Sequence, residues 1–548
     1  MYFLISVGFV LFFILAYYVG LKYSSSRNKK LFFKNGAYKA FIVSLILIVG
    51  GAILFYFILP EEAVDLSSLR LHSEKVSAQL TEATGLSKYW LKSISIFTEL
   101  NLLGLISAIL VTGIWLFYLR NLDFFNKEKI EYSILGFILG AFLTFFTFPL
   151  SDFVISTFDI EYSNNTFYNL FVYSFLGIGI VEELIKIIPV VILLKFTKEI
   201  DEPIDLIYYA SISALGFAFI ENLLYFRDIS GSLVIGRAVT SSVGHMIDSS
   251  IVAYGIILFK FRKENAFIMI YYFLLGAFAH GIYDYCLFEG LILLFIAFFA
   301  FFIQVWAIMI NNAINNSKYF DYSVHYKHDL VRYRLALLLT LLLLASYVLN
   351  GFLVGRDEAL TEFISSLVWF GLLIIFYVSY ASSFDLFKGY WRPVTIRLRP
   401  PNPDALPLSR GMSIFTSIYT ENTIVPLNHV GKKIKLHCPR SNRHLQDIFR
   451  KGEGKIEDRV RLVSDKGTDP DWFVVSLESP LDINSKYHDS KILIKFKSKY
   501  MSLVHDKHIR CFLKFIPTEV QPEEYQESSR YPNYGYIIIN GYDFQYKH

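Results

Sequence analysis

The chain has 548 residues, of which 54% are hydrophobic and only 18% are charged, and its formal net charge is +4 at pH 7. This composition excludes an ordinary soluble globular protein, in which roughly a quarter of the residues are charged. The charge is also uneven, because residues 1–384 carry 26 Lys and Arg against 29 Asp and Glu, whereas residues 385–548 carry 26 against 19. The composition therefore predicts a membrane protein with a polar, basic C-terminal region.

Apolar stretches long enough to cross a bilayer recur along the first 384 residues. A helix needs about 20 apolar residues to span the hydrocarbon core, and these stretches predict about eleven transmembrane helices. The first begins almost at Met1 and is followed at once by Lys and Arg residues, so we expect an uncleaved anchor. The predicted helices are centred near Phe12, Ile48, Ala108, Ala141, Val181, Leu215, Val252, Leu275, Phe298, Leu343 and Leu373.

Basic residues between the predicted helices set the expected orientation. Because Lys and Arg stay on the cytoplasmic side, the basic segment 22–38 is predicted to be cytoplasmic and the N-terminus to lie outside. The segment 151–166 has no Lys or Arg and is expected outside. The polar segment 60–95, which has helical potential, is expected there too. An odd number of helices then places residues 385–548 in the cytoplasm.

The region after residue 384 predicts a β-rich soluble domain. Short alternating runs such as VTIRLRP, DWFVVSLESP, KILIKFK, IRCFLKF and YGYIIING are separated by polar, Gly and Pro segments. About 160 residues are enough for an independent core. The predicted fold class is therefore an all-α polytopic membrane protein of about eleven helices with a β-rich C-terminal soluble domain.

Four neighbouring apolar helices carry ionisable residues, which a bilayer disfavours. Charged side chains inside a membrane are costly and usually mark a functional interior. Partners that lie three or four residues apart share one face of a helix. The four runs are GIVEELIKIIPV with Glu182, Glu183 and Lys186, ALGFAFIENLLYF with Glu221 and Asn222, TSSVGHMIDSS with His245 and Asp248, and LLGAFAHGIYDYC with His280 and Asp284.

The depth of these residues supports a common site. At about 1.5 Å per residue from each predicted cytoplasmic end, Glu182 lies about 20 Å deep, Glu221 about 26 Å, His245 about 22 Å and His280 about 21 Å. They share a level nearer the outer surface of a core about 30 Å thick. Carboxylates and imidazoles that converge there supply the groups for general acid–base hydrolysis.

We therefore predict an intramembrane protease. Its predicted catalytic residues are Glu182, Glu183, Glu221, His245 and His280, and its predicted supporting residues are Lys186, Asn222, Asp248 and Asp284.

Two other functions stay open. Buried Glu, His and Asp residues also form proton relays in proton-coupled transporters, although no inverted repeat is evident here. A catalytically silent membrane scaffold is the third alternative. Each motif also has a structural interpretation: Lys186 can pair with an acid of its own helix, Glu221 can bond a neighbouring helix, and His245 can pair with Asp248.

A family resemblance follows from the order of these motifs. Glu-Glu-x-x-Lys (182–186), Phe-x-x-x-Glu-Asn (217–222), an isolated His245 and His-x-x-x-Asp (280–284) resemble the PrsW family of membrane proteases. The resemblance covers roughly residues 130–310 and extends more distantly to the CAAX-protease and bacteriocin-processing superfamily.

The resemblance implies that Glu182, Glu183 and His280 are the essential groups. It also implies an anti-sigma-factor-type cleavage near the outer membrane face, which initiates regulated proteolysis. In the wider superfamily a His of the second motif helps to activate water, but this chain has Glu221 there. The identity of the base is therefore open.

A metal ion is the alternative within the enzyme class. Two His residues and several carboxylates can ligate zinc, but the His-Glu-x-x-His pattern is absent. Adjacent acids are not expected to point inward together on an ideal helix. Guided by the superfamily resemblance, we predict no cofactor, with zinc as the alternative. Its ligands would come from Glu182, Glu183, Glu221, His245 and His280.

The expected domain organisation has four sections. These are N-terminal transmembrane helices in 1–130, a PrsW-like catalytic core in 131–311, two further helices in 312–384 and a β-rich cytoplasmic domain in 385–548. The expected partners are the lipid bilayer and a single-pass membrane-protein substrate. No nucleic-acid partner is expected, and a partner of the cytoplasmic domain is not identified by the sequence.

Overall fold

The computed structural model describes residues 36–380 except 73, 161–166 and 321–327. It also describes residues 391, 431 and 521 and six strands between residues 433 and 540. The chain divides into two compact units, one helical and one that contains the strands. The predicted helix around Phe12 lies outside the described residues.

Helices make up the first unit. Their bounds are α1 Gly36–Ile58, α2 Glu74–Glu82, α3 Leu86–Thr98, α4 Leu102–Leu122, α5 Ile130–Leu143, α6 Thr147–Thr157, α7 Phe167–Val172, α8 Val181–Phe196, α9 Pro203–Tyr225, α10 Gly231–Val239, α11 Ser241–Arg262, α12 Phe267–Phe288, α13 Ile292–Asn315, α14 His328–Val354 and α15 Arg356–Tyr380. A π-helix, Tyr173–Ile180, joins α7 to α8 without a break.

Eight helical stretches among the described residues are long and apolar enough to cross a membrane. The predicted polytopic membrane architecture is therefore confirmed. Every predicted centre from Ile48 to Leu373 lies within a helix, but the count of about eleven is not confirmed. The helix around Val181, which follows the π-helix directly, carries four charged residues, Glu182, Glu183, Lys186 and Lys195.

Local sequence explains where several helices begin. The side chain of Asn101 accepts hydrogen bonds from the backbone N–H groups of Leu103 and Gly104 at the start of α4. Before α9, Glu202 and Asp205 form a reciprocal capping box, and Pro203 occupies the first turn. These caps satisfy backbone N–H groups that have no partner within the helix.

Helices α9 and α11 lie at the centre of the first unit. In the most apolar windows of their spans, 94% and 89% of the residues are buried. Small residues permit this close packing. A Cβ atom at Gly216 of α9 would collide with the carbonyl oxygen of Phe137 in α5, and one at Gly276 of α12 would lie 2.8 Å from the carbonyl oxygen of Asp248 in α11.

The segment 60–95, which was expected to have helical potential, contains α2 and most of α3. Charged contacts connect this region to the turn after α9. Arg227 lies 2.9 Å from Glu99, and Arg70 lies 3.1 Å from Asp228. These ion pairs hold α3 near the end of α9 that follows Glu221.

The second unit is a closed antiparallel barrel in which each strand pairs with the next. Its strands are β1 Lys433–His437, β2 Lys451–Val460, β3 Trp472–Ile483, β4 Tyr487–Phe496, β5 His508–Ile516 and β6 Asn533–Asn540. Leu436 of β1 opposite Ile539 of β6 closes the barrel. Trp472, Val474 and Leu493 pack in its core. The prediction of a β-rich C-terminal domain is confirmed, although the run VTIRLRP lies outside the described residues.

Candidate active site

Three helices bring their ionisable side chains together around one ammonium group. The Nζ atom of Lys186 lies 3.0 Å from Oε2 of Glu182 and 2.9 Å from Oε1 of Glu183, both on α8. It also lies 2.8 Å from Nδ1 of His245 on α11 and 3.3 Å from Nδ1 of His280 on α12. The Lys186 side chain has no exposed surface. These residues form the Lys186 cluster.

Close backbone packing places α8 against α12. The π-helix precedes the two acids directly, and a π-helix widens the turn locally and is frequent at functional sites. A Cβ atom at Gly179 would collide with the carbonyl oxygen of Ala277, and one at Gly281 would lie 2.8 Å from Cα of Phe175. Glycine at both positions therefore lets the acids approach His280.

The two adjacent acids have different surroundings. Glu183 is fully buried, and its Oε2 atom accepts a hydrogen bond of 2.8 Å from the hydroxyl of Ser249. Its Oε1 atom contacts both Lys186 and Nδ1 of His280, each at 2.9 Å. The side chain of Glu182 is 13% exposed. Glu183 is thus enclosed by protein partners, whereas Glu182 is the acid that water can reach.

A second group of contacts adjoins the Lys186 cluster. Nε2 of His245 lies 2.7 Å from Oε2 of Glu221, which also accepts a hydrogen bond of 3.0 Å from Arg237. Arg237 donates a further hydrogen bond to the side-chain oxygen of Asn222. These contacts bring Glu221 and Asn222 into the site through residues on α10 and α11.

The second nitrogen of His280 faces a different set of groups. Its Nε2 atom lies 3.5 Å from Oε2 of Glu182 and 3.5 Å from Oδ2 of Asp284. Asp248 is buried, and a carboxylate oxygen of this residue lies within 4.8 Å of ligand atoms of Glu183 and His280. His280 therefore links the enclosed acid Glu183 to the more open acid Glu182.

The structure brings all nine predicted site residues into this region, and two expectations need correction. Glu182 and Glu183 both point at Lys186. Lys186 follows Glu182 by four positions and Glu183 by three, and both spacings bring side chains together on a helix. His245 bonds to Glu221 on another helix, so the interpretation of a pair with Asp248 on its own helix is replaced by a contact between helices.

Sequence reasoning missed two contributors to the site. Arg237 lies in the run GSLVIGRAV, where a single charge among apolar residues was the available signal. Ser249 lies in the run TSSVGHMIDSS next to Asp248, and its hydroxyl donates to Glu183. The π-helix Tyr173–Ile180 was also missed, because its apolar sequence has no periodicity that distinguishes a π-helix from an α-helix.

An apolar groove reaches the site from between α11, α12 and α13. Asp248 is among its lining residues, and so is Gly244, one residue before His245. Aromatic side chains form much of the remaining lining, among them Tyr283, Phe295, Phe299 and Phe302. The groove therefore adjoins the site at Asp248.

A metal ion does not fit the site, because the ammonium of Lys186 occupies its centre. Two sets of residues have zinc-type ligand atoms near one another, Glu182 with His245 and His280, and Glu183 with Asp248 and His280. Yet the ammonium of Lys186 lies 2.8 to 3.3 Å from carboxylate or imidazole atoms of four of these five residues. A cation is already at the point where these ligand atoms converge.

Comparison with known proteins identifies similar chains. A family model described as PrsW family intramembrane metalloprotease matches residues 128–309. The chain is 30% identical over 190 residues to Protease PrsW of Clostridioides difficile (strain 630), which is 33% of this chain and 77% of that protein. It is 30% identical over 188 residues to Protease PrsW of Geobacillus kaustophilus (strain HTA426), which is 34% of this chain and 80% of that protein. No solved structure matches.

Proposed function

Because the chain belongs to the PrsW protease family, we propose that it is an intramembrane endopeptidase that uses Glu182 and His280 to hydrolyse peptide bonds of membrane proteins. The observation that carries this proposal is the pairing of a partly exposed carboxylate with a buried imidazole inside an apolar helical core. Such a pair supplies a base and a hydrogen-bond donor where water is otherwise scarce.

Hydrogen bonding assigns different tasks to the two acids. The three N–H bonds of the Lys186 ammonium point to its three nearest acceptors, Glu182, Glu183 and Nδ1 of His245. Nδ1–H of His280 then donates to Glu183, which fixes the orientation of the ring as a carboxylate partner does for other catalytic imidazoles. Glu183 is therefore a positioning residue in this proposal, and Nε2 of His280 faces the reaction.

The reaction follows from these positions. Glu182 takes a proton from a water molecule, and the water oxygen attacks the carbonyl carbon of the peptide bond. His280 acts as an imidazolium in this proposal: with Nδ1–H directed at Glu183, its Nε2–H, beside Asp284, donates a hydrogen bond to the oxyanion as negative charge develops, which is where a fixed donor contributes most. Glu182 then passes the proton to the amide nitrogen as the carbon–nitrogen bond breaks.

The pair of His245 and Glu221 stands beside this reacting pair. Nδ1 of His245 accepts from Lys186, so its proton is on Nε2 and is donated to Glu221. Arg237 balances the charge of Glu221. We assign these residues to holding the attacking water and the substrate carbonyl.

The proposed substrate is a single-pass membrane protein, of the anti-sigma-factor type, in a bacterial cytoplasmic membrane. Its span would reach the site along the apolar groove between α11, α12 and α13. With the N-terminus outside, the site lies nearer the outer face, so we expect the cut in the outer part of the substrate span. Helices unwind most easily near their ends, which frees the backbone carbonyl for attack.

The test compares membrane proteomes of cells that express the wild-type chain or a variant. Glu182→Gln and His280→Ala should abolish the appearance of truncated membrane proteins, because each removes a reacting group. Glu289→Gln is the matched control, since Glu289 is exposed at the C-terminal end of the same helix as His280.

Mass spectrometry of the product ends locates the cut. Truncated products that persist in both site variants at the wild-type level would refute the catalytic assignment. Proton-coupled uptake by the purified chain in liposomes, with no cleavage, would favour the transporter alternative instead.

A further inference from the structure

The Lys186 cluster has the ligand set of a metal site but holds a side-chain cation at its centre. Two carboxylate oxygens and two imidazole nitrogens surround Nζ at 2.8 to 3.3 Å. Oxygen and imidazole nitrogen atoms in this combination are what zinc prefers in catalytic sites. We propose that the Lys186 ammonium is the resident cation of this site and that the functional chain holds no divalent metal among these four ligand residues.

The ammonium is held from several directions. Its side chain has no exposed surface, and Nζ lies 4.4 Å from the centroid of the Phe217 ring, within the range of a cation–π contact. The backbone carbonyl of Lys186 accepts a hydrogen bond of 2.7 Å from the hydroxyl of Ser213 on α9. The bond from Ser213 fixes the backbone of Lys186, and moving the ammonium out would break its hydrogen bonds and the contact with Phe217 and place a charge in apolar surroundings.

Charge also opposes a metal beside the lysine. Zinc binds imidazole nitrogen at about 2.0 to 2.1 Å and needs ligand lone pairs directed at it. In this site the lone pairs of Glu183 and of Nδ1 of His245 are directed at Lys186. A divalent ion among the same ligands would lie within a few ångströms of the ammonium, where like charges repel strongly in a low dielectric.

Removal of the ammonium should therefore create a metal site. In Lys186→Met the apolar side chain keeps much of the lysine stem but leaves Glu182, Glu183, His245 and His280 facing one another without a cation. A divalent ion then replaces the ammonium as the cationic partner of the two carboxylates. This expectation concerns metal content alone, so it does not depend on the proposed peptidase activity.

The experiment uses the full chain purified in detergent, incubated with Co²⁺ and then passed through a desalting column. Wild-type protein and Lys195→Met, a control at an exposed lysine of the same helix, should retain no stoichiometric cobalt. Lys186→Met should retain about one equivalent and show the visible absorption of tetrahedral Co²⁺ with nitrogen and oxygen ligands. The added substitution His280→Ala should remove that absorption.

Two outcomes would overturn the proposal. The first is stoichiometric cobalt or zinc in wild-type protein that is lost in His280→Ala, and this measurement does not require any lysine variant to fold. The second is a Lys186→Met protein with wild-type circular dichroism that binds no cobalt, because the ligand set would then not be directed at the ammonium position.

Discussion

Gly281 sets how closely the helix of His280 approaches the π-helix before the two acids. In Gly281→Ala the new Cβ would lie 2.8 Å from Cα of Phe175, whereas ordinary contact begins at 3.4 Å. The two helices must therefore separate by about 0.6 Å. Because a misplacement of about 1 Å can cost roughly 100-fold in rate, we expect cleavage to fall roughly 10- to 100-fold.

The assay measures cleavage of a membrane substrate identified from the proteome comparison, together with the thermal unfolding of each variant in detergent. Overpacking of this kind costs about 1 to 3 kcal/mol, so activity is compared at a temperature where both proteins are folded. Gly113→Ala is the control, since a Cβ there meets no described atom within 4 Å. Wild-type cleavage by folded Gly281→Ala would refute the claim that this contact sets the geometry of His280.

Arg237→Met should lower cleavage roughly 10- to 100-fold, because loss of a residue that orients a functional group often has an effect of this size. Arg262→Met, at an exposed helix end, is the control and should not lower cleavage. Equal cleavage rates in the two variants would contradict the role of Arg237. Stability should also depend on pH. Burial raises the pKa of Glu128, in the loop between α4 and α5, from 4.5 to about 7. The folded protein therefore keeps a proton that the unfolded chain releases, and this stabilisation, at most about 3 kcal/mol, is present below pH 4.5 and lost as the pH rises through about 7. The apparent Tm should fall between about pH 5 and about pH 8, and a fall of the same size in Glu128→Gln would refute this.

The sequence identified residues that the structure brings together for one physical reason. An ionisable side chain inside an apolar membrane helix is energetically costly unless it faces a polar interior. Glu182, His245 and His280 can therefore be recognised from the sequence alone. The spacing of four residues also predicted that Glu182 shares a helix face with Lys186, whereas the additional contact between Glu183 and Lys186 was not predicted. Alternation of apolar residues likewise predicted strands, such as β3 and β4, in the C-terminal domain.

Contacts between helices could not be predicted from the spacing of residues along one helix. Spacing indicates a face but not which other helix covers it, so His245 was considered with Asp248 although its partner is Glu221. Arg237 was overlooked because it lies between two predicted spans, in a run that the structure folds as a short helix leading into α11. The closure of the barrel by β1 and β6 depends on pairing between strands that are about 100 residues apart, which no local pattern encodes.

The distribution of partners among the buried charges supports the proposal that Glu182 and His280 are the reacting pair. Glu183 has Lys186, Ser249 and His280 as partners, and Glu221 has Arg237 and His245. Glu182 shares the ammonium with Glu183, and its distance of 3.5 Å from Nε2 of His280 is too long for a strong hydrogen bond. A polar pair that is incompletely satisfied in a low dielectric gains most from a new hydrogen-bonding partner. In the proposed reaction, a water molecule and a peptide carbonyl between Glu182 and His280 would supply that partner, so the reactants would bind where the contacts of the site itself are weakest.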